Sequence, residues 1–75
     1  MYFSFDKMAN ALYIRFSSEK ISNSDEIVDG IIIDYGKNDN IVGVEILNYT
    51  ERKLNLNDLV QLNIEELIPR LAQCQ

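Results

Sequence analysis

Gly30-Ile31-Ile32-Ile33-Asp34-Tyr35-Gly36-Lys37-Asn38-Asp39-Asn40-Ile41-Val42-Gly43-Val44-Glu45-Ile46 is the stretch that decides the fold. Two runs rich in β-branched residues flank a short polar turn. Asn38 and Asp39 both accept positive φ, so the pattern predicts a β-hairpin. Pairing Lys37 with Asn40 puts Tyr35 opposite Val42, Ile33 opposite Val44 and Ile31 opposite Ile46, an apolar face throughout. The other face pairs Asp34 with Gly43 and Ile32 with Glu45. A slip of one residue would bury both carboxylates, so the side chains themselves set the register. The first strand segment is read from Glu26 to Gly36 as one run.

Toward the N-terminus the alternation repeats. Phe3 and Phe5 alternate with Tyr2, Ser4 and Asp6, and Leu12, Ile14 and Phe16 with Ala11, Tyr13 and Arg15. Both stretches read as half-buried strands joined by Lys7-Met8-Ala9-Asn10. Asp6 can accept from a backbone N–H two residues on, and Asn10 tolerates a left-handed conformation. With Phe5 facing Leu12 and Phe3 facing Ile14, Tyr2 sits opposite Arg15. Ser17 to Glu26 is polar and reads as a loop.

Past Thr50 the spacing becomes helical, through Leu56, Leu59, Val60, Leu62, Leu67, Ile68 and Leu71. Asn57 or Asn63 can cap a helix, and Asn63 with Glu66 matches a capping box. Pro69 predicts a kink, a break or two short helices, because proline in a helix interior costs about 3 kcal/mol. The architecture expected is α+β. Two β-hairpins form one antiparallel sheet, and a C-terminal helix, kinked or broken near Pro69, packs on one face. Residues 1–75 form a single domain, with the sheet in 1–50 and the helical part in 51–75. The core expected from the strands is Phe3, Phe5, Leu12, Ile14, Phe16, Ile31, Ile33, Tyr35, Val42, Val44 and Ile46, with several helix leucines.

Composition narrows the function. The chain has 75 residues, 12 acidic and 7 basic, for a net charge of −5, and no histidine. Histidine-based triads and histidine-ligated zinc are therefore excluded. Arg52-Lys53 is the one adjacent basic pair, far from the basic stripe that nucleic acid requires. No run approaches the roughly 20 apolar residues that span a bilayer, and the opening Met1 to Asp6 lacks a basic secretory n-region. The lone Cys74 allows no intrachain disulfide or cysteine metal cluster and suits a reducing compartment. A cytoplasmic setting follows, with no nucleic acid, membrane, metal or cofactor expected.

Phe5-Asp6-Lys7-Met8-Ala9-Asn10-Ala11-Leu12-Tyr13-Ile14-Arg15 resembles the opening Tyr-Asp-x-x-x-Asp-Ala-Leu-Tyr-Ile-Arg of a family of small bacterial and archaeal proteins, domain of unknown function 2283. Gly30 to Tyr35 and Ile41 to Leu47, separated by a polar turn, are similar to that family's next segments. The resemblance spans residues 5 to 50. Phe5 replaces the usual Tyr, Asn10 the usual Asp, Asn40 the usual turn Gly, and Tyr49-Thr50 a small Ala-Ser pair. It implies a fold and no chemistry.

The candidate site is the sheet face away from the core. There Tyr13 and Arg15 come from one hairpin and Ile32, Asp34 and Glu45 from the other, with Leu47 just beyond. If the hairpins pair edge to edge, the planar guanidinium fork of Arg15 reaches at least one carboxylate. Tyr2, Tyr13, Ile32 and Leu47 leave apolar surface on this face, which predicts a homodimer interface. The acidic stretch Glu19 to Asp29 suits a basic protein partner, as in a neutralising half of a two-protein system. The expectation is a non-enzymatic interaction and dimerisation module. The alternative is a small ligand- or cation-binding domain, less readily a hydrolytic one, using Arg15, Asp34 and Glu45. Asn38-Asp39-Asn40 lacks the EF-hand spacing, and Asn48-Tyr49-Thr50 fits a glycosylation acceptor by chance in a chain with no secretory signal.

Overall fold

Asn38 and Asp39 both adopt φ of 60° in the computed structural model, as the hairpin turn requires. The Gly36 N–H donates to the Asn40 carbonyl at 2.8 Å and closes that turn. It joins β4 (Ile31–Tyr35) to β5 (Ile41–Ile46) in the expected register, Ile31 with Ile46, Ile32 with Glu45, Ile33 with Val44 and Asp34 with Gly43. The one departure is a bulge at the turn end. Tyr35 pairs with Ile41 rather than Val42, which makes Val42 the extra residue on β5. Its carbonyl accepts from the Phe16 N–H at 2.8 Å instead.

The structure describes residues 2–52, 54, 56–59, 61 and 63–73. Val60 and Leu62 of the predicted helical pattern, Lys53 and Cys74 lie outside them, as does the side chain of Leu56. β1 (Tyr2–Asp6) and β2 (Ala11–Arg15) pair as predicted, from Tyr2 with Arg15 to Asp6 with Ala11. One Asp6 carboxylate oxygen accepts from the Met8 and Ala9 N–H groups at 3.0 and 3.1 Å, and Asn10 has φ of 52°.

The expected loop Ser17 to Glu26 is corrected in its second half. Asn23–Val28 is a strand, β3, antiparallel to β4, so the sheet has five strands in the order β1-β2-β5-β4-β3. Asp29-Gly30, with Gly30 at φ of 81°, breaks the run read as one strand from Glu26 to Gly36. β3 is an edge strand, so backbone pairing with β4 holds it and it needs no apolar alternation. Asp25 and Glu26 on it are exposed.

The core forms where the sheet meets the helices. Leu12, Ile14, Ile31, Ile33, Val44 and Ile46 are buried against Leu59 of α1 (Leu56–Leu59) and Leu67 and Leu71 of α2 (Ile64–Gln73). Leu67 and Leu71 are four residues apart and so share one helix face. Phe3, Phe16 and Tyr35 are half-buried and pack against this cluster. Phe5 departs from the expected core and is 46% exposed. It sits on the edge strand, and its ring meets Tyr49 edge-on at a centroid distance of 6.0 Å. Asn63 caps α2 reciprocally: the Glu66 N–H donates to Asn63 Oδ1 at 2.9 Å and the Asn63 N–H to Glu66 Oε1 at 3.3 Å. Among the described residues the C-terminal segment holds two helices. Their break falls between Leu59 and Ile64, while Pro69 lies inside α2 and points to solvent.

Candidate functional site

Registers across four neighbouring strand pairs place the candidate residues in two rows on the face opposite the helices. One row reads Tyr2, Arg15, Gly43, Asp34, Ser24; the next reads Ser4, Tyr13, Glu45, Ile32, Glu26. β2 pairs with β5, so the hairpins do meet edge to edge. Tyr13, Arg15, Ile32, Asp34, Glu45 and Leu47 are all half-buried.

Tyr13 reaches Asp34 diagonally across β5. Its hydroxyl donates to Asp34 Oδ2 at 2.9 Å. The ring passes over Gly43, where a Cβ would overlap the hydroxyl and lie 2.7 Å from Cζ. Gly43 thus serves the close approach of the Tyr13 side chain, with the Ile14 carbonyl oxygen 3.0 Å from the same Cβ position. The Ser24 hydroxyl donates to Asp34 Oδ1 at 2.5 Å, so both carboxylate oxygens have a neutral donor. Burial, then the hydrogen bond to Asp34 and its negative charge, hold the Tyr13 phenol above its usual 10.0 against the opposing pull of Arg15. The phenol is therefore kept protonated, as a donor to Asp34.

Among the described residues Arg15 pairs with no carboxylate, contrary to the geometry expected. Nε donates to the Ser17 carbonyl at 2.7 Å and a terminal nitrogen to the Glu19 carbonyl at 2.8 Å. Its neighbour on β5 is Gly43, which offers no side chain, while the loop after β2 brings two carbonyls within reach. The Glu19 N–H donates to the Ser17 hydroxyl at 3.0 Å and completes the loop. The Glu19 carboxylate then accepts from the Lys37 N–H at 2.6 Å and fills the space beside Gly36. Arg15 is therefore a fastener between β2 and the β4–β5 turn. Glu45 lies between Tyr13 and Ile32 in its row and joins none of these hydrogen bonds.

Three partners had no readable signal in the sequence. Ser24 lies on the edge strand that polar composition concealed. Glu19 reaches Lys37 from 18 residues away. Arg52 donates to the Leu47 carbonyl at 2.6 Å and the Asp29 carbonyl at 3.0 Å, pinning the β3–β4 turn. Its guanidinium lies against Gly30, where a Cβ would overlap it.

Chemically, each Asp34 carboxylate oxygen accepts from one hydroxyl, and Arg15 spends two of its five N–H donors on main-chain carbonyls. Among the described residues no three His, Cys, Asp or Glu side chains converge in a metal-holding geometry. Tyr2, Arg15, Phe16, Ser17 and Ser18 line an open depression of about 260 Å³ at the sheet rim. Glu19, Lys20, Ile21, Ser22 and Lys37 line another of about 480 Å³. Among the described residues no helix is long and apolar enough to cross a membrane.

The family described as Protein of unknown function (DUF2283) matches residues 3–49, nearly two thirds of the chain, and the chain belongs to that family. The matched region covers β1 from Phe3 onward and the other four strands, and stops before α1. No curated protein and no solved structure matches the chain significantly.

Proposed function

We propose that the chain is a small non-enzymatic interaction module that works as a homodimer in the cytoplasm. One observation carries this reading: the helices cover a single face of the sheet. Leu12, Ile14, Ile31, Ile33, Val44 and Ile46 on that face are at most 3% exposed. Tyr13, Arg15, Ile32, Asp34 and Glu45 on the other face are only half-buried, and both edge strands are open to solvent among the described residues. A domain of this size buries only about 60% of its unfolded surface, so a second copy adds stability that the monomer lacks. The hydroxyl donors that Asp34 holds on both carboxylate oxygens support a structural rather than catalytic use of the polar cluster. A single cysteine and no disulfide framework suit the reducing compartment. Light scattering across the micromolar range is expected to approach twice 8.7 kDa. A constant mass near 8.7 kDa would overturn the reading.

A second reading is favoured by the exposure of Asp25 and Glu26 on the edge strand β3. This edge would pair with a basic protein segment, main chain to main chain, with its charges selecting the partner. A basic protein retained from native lysate by the parent chain, and lost with Asp25→Lys and Glu26→Lys together, is the expected outcome.

A further inference from the structure

We propose that the second copy joins at the β1 edge, where Tyr2–Asp6 pairs antiparallel with its own symmetry mate about Ser4 and the two sheets become one. This rests on the homodimer reading and says where the copies meet. Three observations converge on β1.

The first is where apolar surface is left over. Tyr2, Phe5 and Met8, at 61%, 46% and 97% exposure, are three of the four large hydrophobic side chains left exposed among the described residues. All three belong to β1 or the turn that follows it. The open sheet face instead keeps Tyr13, Ile32 and Leu47 half-buried.

The second is the contrast between the two edges. Natural sheets protect an edge with charges and bulges. β3 has both, with Asp25 and Glu26 exposed and a register shift between Glu26 and Val28. Pairing β3 with itself about Asp25 or Glu26 would set like charges face to face. β1 has no bulge, pairing residue for residue with β2, and its one charge, Asp6, stands at its end and leaves Tyr2 to Phe5 uncharged.

The third is self-complementarity, which a two-fold interface demands. Pairing about Ser4 engages all five residues of β1. Ser4 meets Ser4 of the partner subunit, Tyr2 meets Asp6 of the partner subunit, and Phe3 meets Phe5 of the partner subunit. Side chains on one face of the sheet stay on that face across the two-fold. Phe3 and Phe5 of both copies therefore gather on the helix side, and no like charges are opposed. Asp6 accepts its two local N–H bonds through one oxygen, which leaves the other for the tyrosine hydroxyl. A single strand pair is a small interface, so the dimer forms at micromolar rather than nanomolar concentration.

Ser4 is the position to perturb, because it is exposed and its hydroxyl makes no hydrogen bond among the described residues. Ser4→Lys places two ammonium groups across the two-fold on Cβ atoms about 5 Å apart. It reduces the net negative charge of an acidic chain, so dissociation cannot come from general repulsion. The expected result by light scattering is loss of the dimer mass with an unchanged circular dichroism spectrum. Mixing Ser4→Lys with Ser4→Glu is expected to restore it as a heterodimer. Asn23→Lys, the same charge on the other edge, is expected to leave the dimer in place. In a Cys74→Ser background, Ser4→Cys is expected to form a disulfide-linked dimer on oxidation. If Ser4→Lys retains the dimer mass and Ser4→Cys fails to cross-link, the copies meet elsewhere and this proposal falls while the homodimer stands. A parent chain that stays monomeric removes both.

Discussion

Alanine at Gly43 probes the open face at its tightest point. A Cβ there would overlap the Tyr13 hydroxyl and lie 2.7 Å from Tyr13 Cζ and 3.0 Å from the Ile14 carbonyl oxygen. The Ile14 main chain is held in the β2–β5 ladder and cannot yield. The Tyr13 ring can, since it ends a side chain with two free torsions. It swings away, and its 2.9 Å hydrogen bond to Asp34 is lost. A bond to a charged acceptor contributes about 1.5–3 kcal/mol. Asp34 is half-buried and keeps Ser24, which puts this loss at about 1.5 kcal/mol. Uncovering part of the ring adds about 0.5–1 kcal/mol. Alanine's lower backbone entropy in a strand returns about 0.5 kcal/mol. The net expectation is a destabilisation of about 2 kcal/mol. Urea denaturation of the parent, Gly43→Ala, Tyr13→Ala and the double variant, at one protein concentration, closes a cycle. In the Tyr13→Ala background, Gly43→Ala meets only the Ile14 carbonyl and should cost clearly less than in the parent. Equal losses from Gly43→Ala in the two backgrounds would refute the crossing of Tyr13 over Gly43.

Three further outcomes are expected. The phenol of Tyr13 titrates above its unfolded value of 10.0. The unfolded chain then loses that proton first, so the stability present below that value is lost as pH rises through the folded one. Tyr13→Phe should flatten the fall of the urea midpoint between about pH 9 and about pH 11, and parallel slopes would contradict the shift. Arg15→Met should cost about 1–2 kcal/mol through the loop at Ser17 and Glu19. Asp34→Asn should not recover that loss, and a measurable Arg15–Asp34 coupling would show that the guanidinium faces the carboxylate after all. Leu12→Ala should destabilise by about 2–5 kcal/mol, because Leu12 is 3% exposed in the core, and by more than Tyr13→Ala. Equal effects would mean that the open face is covered in solution.

Short-range rules make much of this protein legible in its sequence. Alternation of period two placed Leu12, Ile14, Ile31, Ile33, Val44 and Ile46 on one face, because a slip would have buried Asp34 and Glu45. Asn10, Asn38 and Asp39 announced their positive φ, and Asn63 with Glu66 announced the start of α2, because each depends on partners a few residues away. The family resemblance was readable for the same reason: it is carried by contiguous strand-and-turn segments. What only the tertiary structure decided involves distant or weakly patterned partners. β3 carries no apolar alternation because an edge strand is held by its backbone. The β2–β5 pairing joins segments whose own turns say nothing of each other. Arg15 turned to Ser17 and Glu19 because Gly43, its neighbour across the strand, left the near carbonyls as the better acceptors. The sequence by itself thus determined which residues share a face. The order of the strands determined which of those residues touch: it laid Tyr13 over Gly43 onto Asp34, brought Ser24 to the same carboxylate, and left β1, with Phe5, at an open edge.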